Sequence, residues 1–119
     1  MSYVDGFVVP VHRDKVAAYR RLARKAGKIW KEYGALEYIE CVADDVTRGK
    51  STSFPRAVKL KRHEVVILSW IVYRSRAARD RIYPRVMADP RLAPMMDPKN
   101  MPFDARRMFW GGFRPIVQL

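Results

Sequence analysis

The sequence predicts one α+β domain, residues 1–119, in which an antiparallel sheet carries two helices on one face. Segments rich in β-branched and aromatic residues alternate with segments whose apolar residues recur at helical spacing. These segments follow one another in the order β-α-β-β-α-β. With 49% hydrophobic residues, the chain can form a core without disulfides or metals.

The first half of the chain predicts a strand, a long helix and a second strand. Residues 2–11 are rich in aromatic and β-branched side chains and form the first strand. Residues 14–33 carry apolar side chains at helical spacing, and Gly34 ends that helix. The apolar stripe consists of Val16, Tyr19, Leu22, Ala23, Ala26, Ile29, Trp30 and Tyr33. Residues 35–42 form the second strand.

The second half begins with a connection, residues 43–63, that is unusually long for a small domain. Such a connection is typical of a lid or a binding loop. The strand of residues 64–73 follows it. Ser75 then caps a helix that reaches about residue 88, and we expect Pro84 to kink or split this helix.

Prolines mark the remainder of the chain. Asp89 and Pro90 have the pattern of a cap and first residue of a short helix. Residues 108–119 predict the last strand, and Pro115 is tolerated there only at a sheet edge or bulge. The whole order is that of a ferredoxin-like fold, in which the last strand lies at an edge.

The strand of residues 64–73 is apolar on both sides. One side carries Val66, Leu68, Trp70 and Val72, and the other carries Val65, Ile67, Ile71 and Tyr73. Two helices cover only one face of a sheet, and exposed apolar patches beyond roughly a few hundred Å² are rare in monomers. We therefore expect a homodimer, in which a second copy covers the other face across a two-fold axis.

The net charge of +12 raises the question of a polyanionic partner. Residues 73–85 contain five arginines, but these do not converge on a helix, and we expect them to be solvated. The first helix differs, because one of its sides is a cationic stripe. This stripe consists of Arg20, Arg21, Arg24, Lys25, Lys28 and Lys31. A nucleic-acid-associated protein is thus an alternative function, although no known nucleic-acid motif accompanies the stripe.

Acidic residues inside apolar strands are exposed, paired or functional. Asp5 and Glu40 are two such residues, and pairing with an arginine is the plain alternative for them. Glu40 shares its strand face with Tyr38, so a pocket between sheet and helices is the functional interpretation. His12, at a strand-to-helix junction, is either an acid or base at the pocket mouth or a helix cap. The candidate substrate-binding residues are Trp70, Tyr38, Glu40, Phe54, Arg56 and His12.

Several other sites fail on inspection. The GKS at the end of residues 44–51 lacks the first glycine and the following helix of a phosphate-binding loop. Two histidines and Cys41 are too sparse for zinc, and we predict no metal and no cofactor. No secretory pattern opens the chain, and the apolar run 65–73 is too short for a bilayer. We therefore expect a cytoplasmic protein outside the membrane.

Four segments together are similar to one known family. They are SYVDGFVVPV; GALEYIECVADDV; SFPRAVK with SWIVYRSRAARDR; and VMADPRLAPMMDPKNMPFD followed by RRMFWGGF. They resemble the YbaA-like uncharacterised bacterial family, a domain of unknown function in the dimeric α/β-barrel superfamily. This resemblance covers nearly the whole chain and implies the ferredoxin-like subunit and the homodimer. It supplies no activity and no catalytic residue.

The wider superfamily includes small monooxygenases, isomerases and stress-related proteins that bind small organic molecules between sheet and helices. The resemblance therefore implies a small-molecule pocket, by analogy of fold. Whether the protein is a cofactor-independent enzyme, a binding protein or a structural dimer without ligand stays open at this point.

Overall fold

The structure is a computed structural model that describes residues 2–119. The predicted order of strands and long helices is confirmed, and a one-turn helix, α2, is added within the long connection. The elements are β1 (Tyr3–His12), α1 (Val16–Glu32), β2 (Glu37–Val42), α2 (Phe54–Ala57), β3 (Glu64–Tyr73), α3 (Arg76–Met87) and β4 (Phe109–Phe113).

The four strands form one antiparallel sheet in the order β2-β3-β1-β4. This order is consistent with a ferredoxin-like fold. The last strand lies at an edge, as predicted, but the predicted range 108–119 is too long. Pairing with β1 ends at Phe113, so Pro115 lies beyond the ladder and removes no hydrogen bond from it.

The helix α1 starts after a short 3-10 helix, Arg13–Lys15, and packs its apolar side on the sheet. His12 caps this start, because its Nδ1 accepts a hydrogen bond of 3.1 Å from the backbone N–H of Asp14. The residues that α1 buries are Tyr19, Ala23, Ala26, Gly27, Ile29 and Trp30. The helical spacing in the sequence therefore identified the correct face.

The helix α3 runs unbroken past Pro84, so the predicted split is wrong. Ser75 caps the helix as predicted, since its Oγ accepts from the N–H of Ala78 at 3.1 Å. Pro84 is exposed, and the carbonyl that it leaves unbonded, that of Asp80, belongs to an exposed residue. Water can bond such a carbonyl, which explains why the helix tolerates the proline.

The two faces of the sheet differ in what covers them. In each antiparallel pair, residues directly opposite share a face, so the register assigns every strand residue to one side. The helix face, covered by α1 and α3, includes Asp5, Phe7, Val9, Tyr38, Glu40, Ile67, Ser69, Ile71, Tyr73 and Trp110. The open face includes Val4, Val8, Ile39, Val66, Leu68, Trp70, Val72, Phe109 and Phe113.

The open face is partly covered by the chain's own long connection. Val58, which follows α2, is buried against Val8 and Val66. One end of this face is therefore covered by the chain itself, and the expected cover by a second copy concerns the remainder. The remainder stays apolar and accessible, since Leu68 is 37% and Phe113 is 63% exposed.

The segment between α3 and β4 forms turns and a 3-10 helix, Ala93–Met96. Asp89 caps the turn before it, because its Oδ1 accepts from the N–H of Arg91 at 2.9 Å. The predicted short helix is thus present but begins later than Pro90. Among the helices of the described residues, none combines the length and the apolar character needed to cross a membrane.

Candidate functional site

A pocket of about 140 Å³ lies between the helix face of the sheet and the helices. Apolar cavities of about this volume can bind a single benzene-sized ring. Aromatic and methionine side chains form most of its wall, and Glu40 is the one charged residue among the described residues that line it. The lining also includes Phe7, Tyr19, Ala26, Trp30, Tyr38, Ser69, Tyr83, Met87, Met95, Met96 and Trp110.

Glu40 binds two tyrosine hydroxyls at the wall of this pocket. The hydroxyl of Tyr38, two residues earlier on the same strand face, donates to Glu40 Oε2 at 2.6 Å. The hydroxyl of Tyr19, from α1, donates to Glu40 Oε1. Burial raises the pKa of both phenols, and the charge of Glu40 raises it further. Both tyrosines therefore stay protonated and hold the carboxylate in one orientation.

A stack of three aromatic rings forms another wall. Trp110 of β4 stacks on Phe7 of β1, with ring centroids 5.7 Å apart and planes 18° apart. On its other side Trp110 stacks on Tyr83 of α3, at 5.5 Å and 23°. Trp110 is 42% exposed, so this wall reaches from the interior to the protein surface.

A second polar cluster lies in the core beside the pocket. Asp5 is fully buried on the helix face, with Arg79 Nε of α3 3.7 Å from its Oδ1. Neither oxygen of Asp5 has a partner in good hydrogen-bond geometry. Burial raises the pKa of this carboxyl, while the charge of Arg79 and the nearby hydroxyl of Tyr73 oppose the rise. The same cluster contains Tyr73, whose hydroxyl accepts from Trp30 Nε1 at 3.0 Å. This cluster connects to the pocket through Trp30.

Within this chain Asp5 has an arginine partner, whereas Glu40 binds two tyrosine hydroxyls; an arginine from a second subunit stays a prediction for Glu40. No arginine lies among the pocket-lining residues that the structure describes, and two tyrosine hydroxyls take that place. The expected solvation of all the arginines in residues 73–85 is wrong for Arg79. Its side chain is only 16% exposed, because it reaches inward to Asp5 and donates to the Tyr3 hydroxyl at 3.1 Å.

Tyr38 and Glu40 are the two predicted site residues that the structure brings together in the pocket. Trp70 does not join them, because it pairs with Gly6 and Ile39 on the open face. Its indole Nε1 donates to Glu37 Oε1 at 3.2 Å. The placement of Trp70 between sheet and helices is therefore wrong.

Phe54 and Arg56 belong to α2 in the long connection and do not line the pocket. Arg56 instead holds the connection together, since its Nη2 donates to the carbonyl of Gly49 at 3.0 Å. Phe54 is exposed beside it. His12 acts as the helix cap described above and is likewise absent from the pocket lining.

The pocket residues that sequence reasoning missed come from the helices and the last strand. Tyr19 and Trp30 were interpreted only as members of the apolar stripe of α1. A signal was present, because buried tyrosine and tryptophan require hydrogen-bond partners, and an acid on the facing strand can supply one. Tyr83 and Trp110 carried no such signal, since their stacking depends on how β4 meets α3.

The cationic stripe of α1 is exposed along its whole length. In the part of the chain that the structure describes, none of its six cations lies within 4.0 Å of an acidic oxygen. Lys31 donates to the carbonyl of Leu36 at 2.7 Å. The stripe is therefore a surface of uncompensated positive charge.

The comparisons with known proteins confirm the family that the sequence resembles. Residues 2–105 match a family described as "Protein of unknown function (DUF1428)". "Uncharacterized protein YbaA" of Escherichia coli and of Shigella flexneri are each 49% identical to this chain over 117 residues, covering 98% of both chains.

Two solved structures are similar in fold at 16% sequence identity. An uncharacterized NIPSNAP domain protein from Burkholderia xenovorans superposes with a TM-score of 0.54, over 95% of this chain and 93% of that chain. The de novo designed protein Foldit4 superposes with a TM-score of 0.50, over 97% and 99%. At this identity the likeness extends to the fold alone.

Proposed function

Since this chain belongs to the DUF1428 family, whose function is unknown, we propose a function from its own geometry. The protein is a cytoplasmic homodimer, and each subunit binds a small organic molecule in the pocket between sheet and helices. The observation that carries this proposal is the pocket itself, walled by aromatic and methionine side chains around the carboxylate of Glu40. Pockets with a few placed polar groups in an apolar wall are typical of ligand sites.

The energetics of the pocket support binding over a packing defect. The pocket reaches the surface beside Trp110, which is 42% exposed, and its wall is mostly apolar. A ligand that fills the space removes this apolar wall from water, which is favourable by roughly 25 cal/mol per Å² buried. Met87, Met95 and Met96 line the pocket, and their flexible thioethers adapt to the shape of a guest.

The remaining apolar area of the open face supports the homodimer. Leu68, Phe109 and Phe113 are all exposed there, beside the half-buried Trp70. A two-fold axis through this area brings the same residues of two copies together. The cytoplasmic location is supported by a single cysteine, which makes no internal disulfide.

Calorimetric titration with toluene tests the pocket. We expect toluene to bind the wild-type protein and not Ala26→Leu, because Ala26 is buried at the pocket wall and the larger side chain fills the space. Ala17→Leu is the matched control, since Ala17 lies on the exposed side of the same helix. Equal binding of toluene to the wild type and to Ala26→Leu contradicts the proposal, and so does the failure of every ring-sized probe, phenol included, to bind the wild type.

A second candidate function is favoured by the cationic stripe of α1. Six exposed cations without acidic partners attract a phosphate backbone, and such binding weakens steeply with salt. Fluorescence anisotropy with labelled DNA and RNA at rising salt measures it. Arg24→Glu with Lys28→Glu abolishes the binding if the stripe carries it, while Lys59→Glu with Arg62→Glu, an equal charge change elsewhere, leaves most of it. No binding at low salt eliminates this function.

A further inference from the structure

We propose that the pocket selects a neutral, ring-sized molecule that carries one O–H or N–H group, and that this group donates a hydrogen bond to Glu40. Phenols and aromatic alcohols belong to this class. The inference rests on the proposed function, because it concerns the ligand of the same pocket.

Glu40 and the two tyrosines bound to it, Tyr19 and Tyr38, offer hydrogen-bond acceptors to a ligand. A carboxylate has about four lone-pair positions, and the hydroxyls of Tyr19 and Tyr38 occupy one on each oxygen. The hydroxyl group of each tyrosine donates its single proton to Glu40, so the tyrosine oxygens present only lone pairs to the pocket. The indole N–H of Trp30, another group of the wall, is already bonded to Tyr73. The Ser69 hydroxyl, opposite Glu40 at the pocket wall, can donate as well as accept, so it is specifically a ligand that binds the Glu40 carboxylate that must supply the donor.

Charge excludes anionic ligands. Within residues 2–119, no lysine, arginine or histidine lines this pocket, while Glu40 does; Arg20 and Arg24 line an adjoining groove that shares Tyr19, Tyr38 and Glu40 with it. A carboxylate or phosphate placed there would lose its hydration without gaining a cationic partner. The net charge of +12 also disfavours the approach of a cation, which leaves a neutral molecule as the preferred guest.

Size and wall chemistry define the body of the ligand. The volume of about 140 Å³ suits one ring with a small substituent. The rings of Phe7, Trp30, Tyr83 and Trp110 line the space and favour stacked or edge-on aromatic contacts. The donor belongs at the end of the ring that faces β2, where Glu40 lies.

The test is calorimetric titration of the wild-type protein with phenol, toluene and benzoate, which share one ring and differ in one substituent. We expect phenol to bind about tenfold more tightly than toluene, because a hydrogen bond to a charged acceptor is among the stronger ones. We expect no measurable heat with benzoate. These three titrations use only the wild type, so they do not depend on the folding of any variant.

Two variants test whether Glu40 causes the preference for phenol over toluene. Glu40→Gln replaces one acceptor oxygen by an N–H₂ donor, and we expect the ratio of phenol to toluene affinity to fall close to one while toluene affinity changes less than about twofold. Glu37→Gln is the matched control, because Glu37 lies on the same strand but at the open face, bonded to Trp70. It should keep the wild-type ratio.

The outcomes distinguish a failure of the proposed donor preference from a failure of the proposed ligand-binding function. Equal binding of phenol and toluene, or tighter binding of benzoate, overturns the donor preference and leaves the pocket as a ligand site. A preference for phenol that survives Glu40→Gln also overturns the role of Glu40. Failure of all three probes to bind removes the proposed function as well.

Discussion

The ring of Tyr38 lies directly against Gly27 of α1, so that a Cβ added to Gly27 would be 2.6 Å from Cδ1 of the ring. Helical glycine is less stable than alanine by about 1 kcal/mol. Overpacking costs about 1–3 kcal/mol, however, and here the clash meets the stiff base of an aromatic ring. The absence of a side chain at Gly27 therefore fixes where Tyr38 meets Glu40.

We accordingly expect Gly27→Ala to lower the free energy of unfolding by roughly 1 kcal/mol and to weaken phenol binding. Urea denaturation measures the first effect, and calorimetry the second. Lys28→Ala, at the neighbouring exposed position, should change both by little. A Gly27→Ala protein that is more stable than the wild type, with unchanged ligand affinity, would show that the Tyr38 ring moves freely.

Arg79 neutralises a carboxyl group that is otherwise buried without hydrogen bonds. We expect Arg79→Met to lower the free energy of unfolding by about 3 kcal/mol, because it leaves the charge of Asp5 unpaired. The double variant Asp5→Asn with Arg79→Met should recover part of this loss. Chemical denaturation at neutral pH of the wild type, both single variants and the double variant gives the coupling energy. A coupling energy near zero would contradict an interaction between the two side chains.

The hydrogen bonds of Arg107 make the stability of the protein depend on pH. Its Nη1 and Nη2 donate to Glu64 at 2.8 and 2.6 Å, and its Nε donates to Asp104 at 3.0 Å. These bonds lower the pKa of Glu64 below 4.5 and that of Asp104 below 3.8. The stabilisation is therefore complete above these values and is lost as the pH falls through the lowered ones.

We expect the unfolding free energy of Arg107→Met to fall less than that of the wild type between about pH 7 and about pH 3. Denaturation series at several pH values give the two slopes. Arg106→Met is the control, since its side chain is 95% exposed and 3.7 Å from Asp104. Parallel slopes for the wild type and Arg107→Met would rule out Arg107 as the origin of the acid dependence.

The proposed homodimer can be tested by placing a charge on the open face. Leu68→Glu places a carboxylate in the proposed interface and should shift the sedimenting species from twice the subunit mass of 13.9 kDa to that mass. Leu36→Glu, at a comparably exposed apolar residue outside β2 and the open face, should leave the dimer intact. A wild-type protein that sediments as a monomer at micromolar concentration would refute the assembly.

The element order was predictable because each element has a clear local signal. The strand at 64–73 and the cap at Ser75 were located from composition and spacing alone. The limits of β4 were not, because they depend on where pairing with β1 stops rather than on the sequence of residues 108–119. The unbroken α3 depends on the exposure of Pro84, which its own sequence does not reveal.

Two of the six predicted site residues, Tyr38 and Glu40, line the pocket, again because a local signal located them. Tyr38 and Glu40 are two residues apart on β2, so it could be inferred that they lie on the same face. Trp70 was assigned to the wrong side, because a strand that is apolar on both faces does not indicate which face the helices cover. The position of the long connection on the open face depends on the burial of Val58, a contact distant in sequence from Val8.

A crystal structure of the protein grown with saturating phenol shows whether the pocket beside Glu40 is a ligand site. We expect density for the ring inside the pocket, with its oxygen within about 3.2 Å of a carboxylate oxygen of Glu40. A pocket that is filled by its own side chains, or phenol bound only elsewhere on the protein, would contradict it.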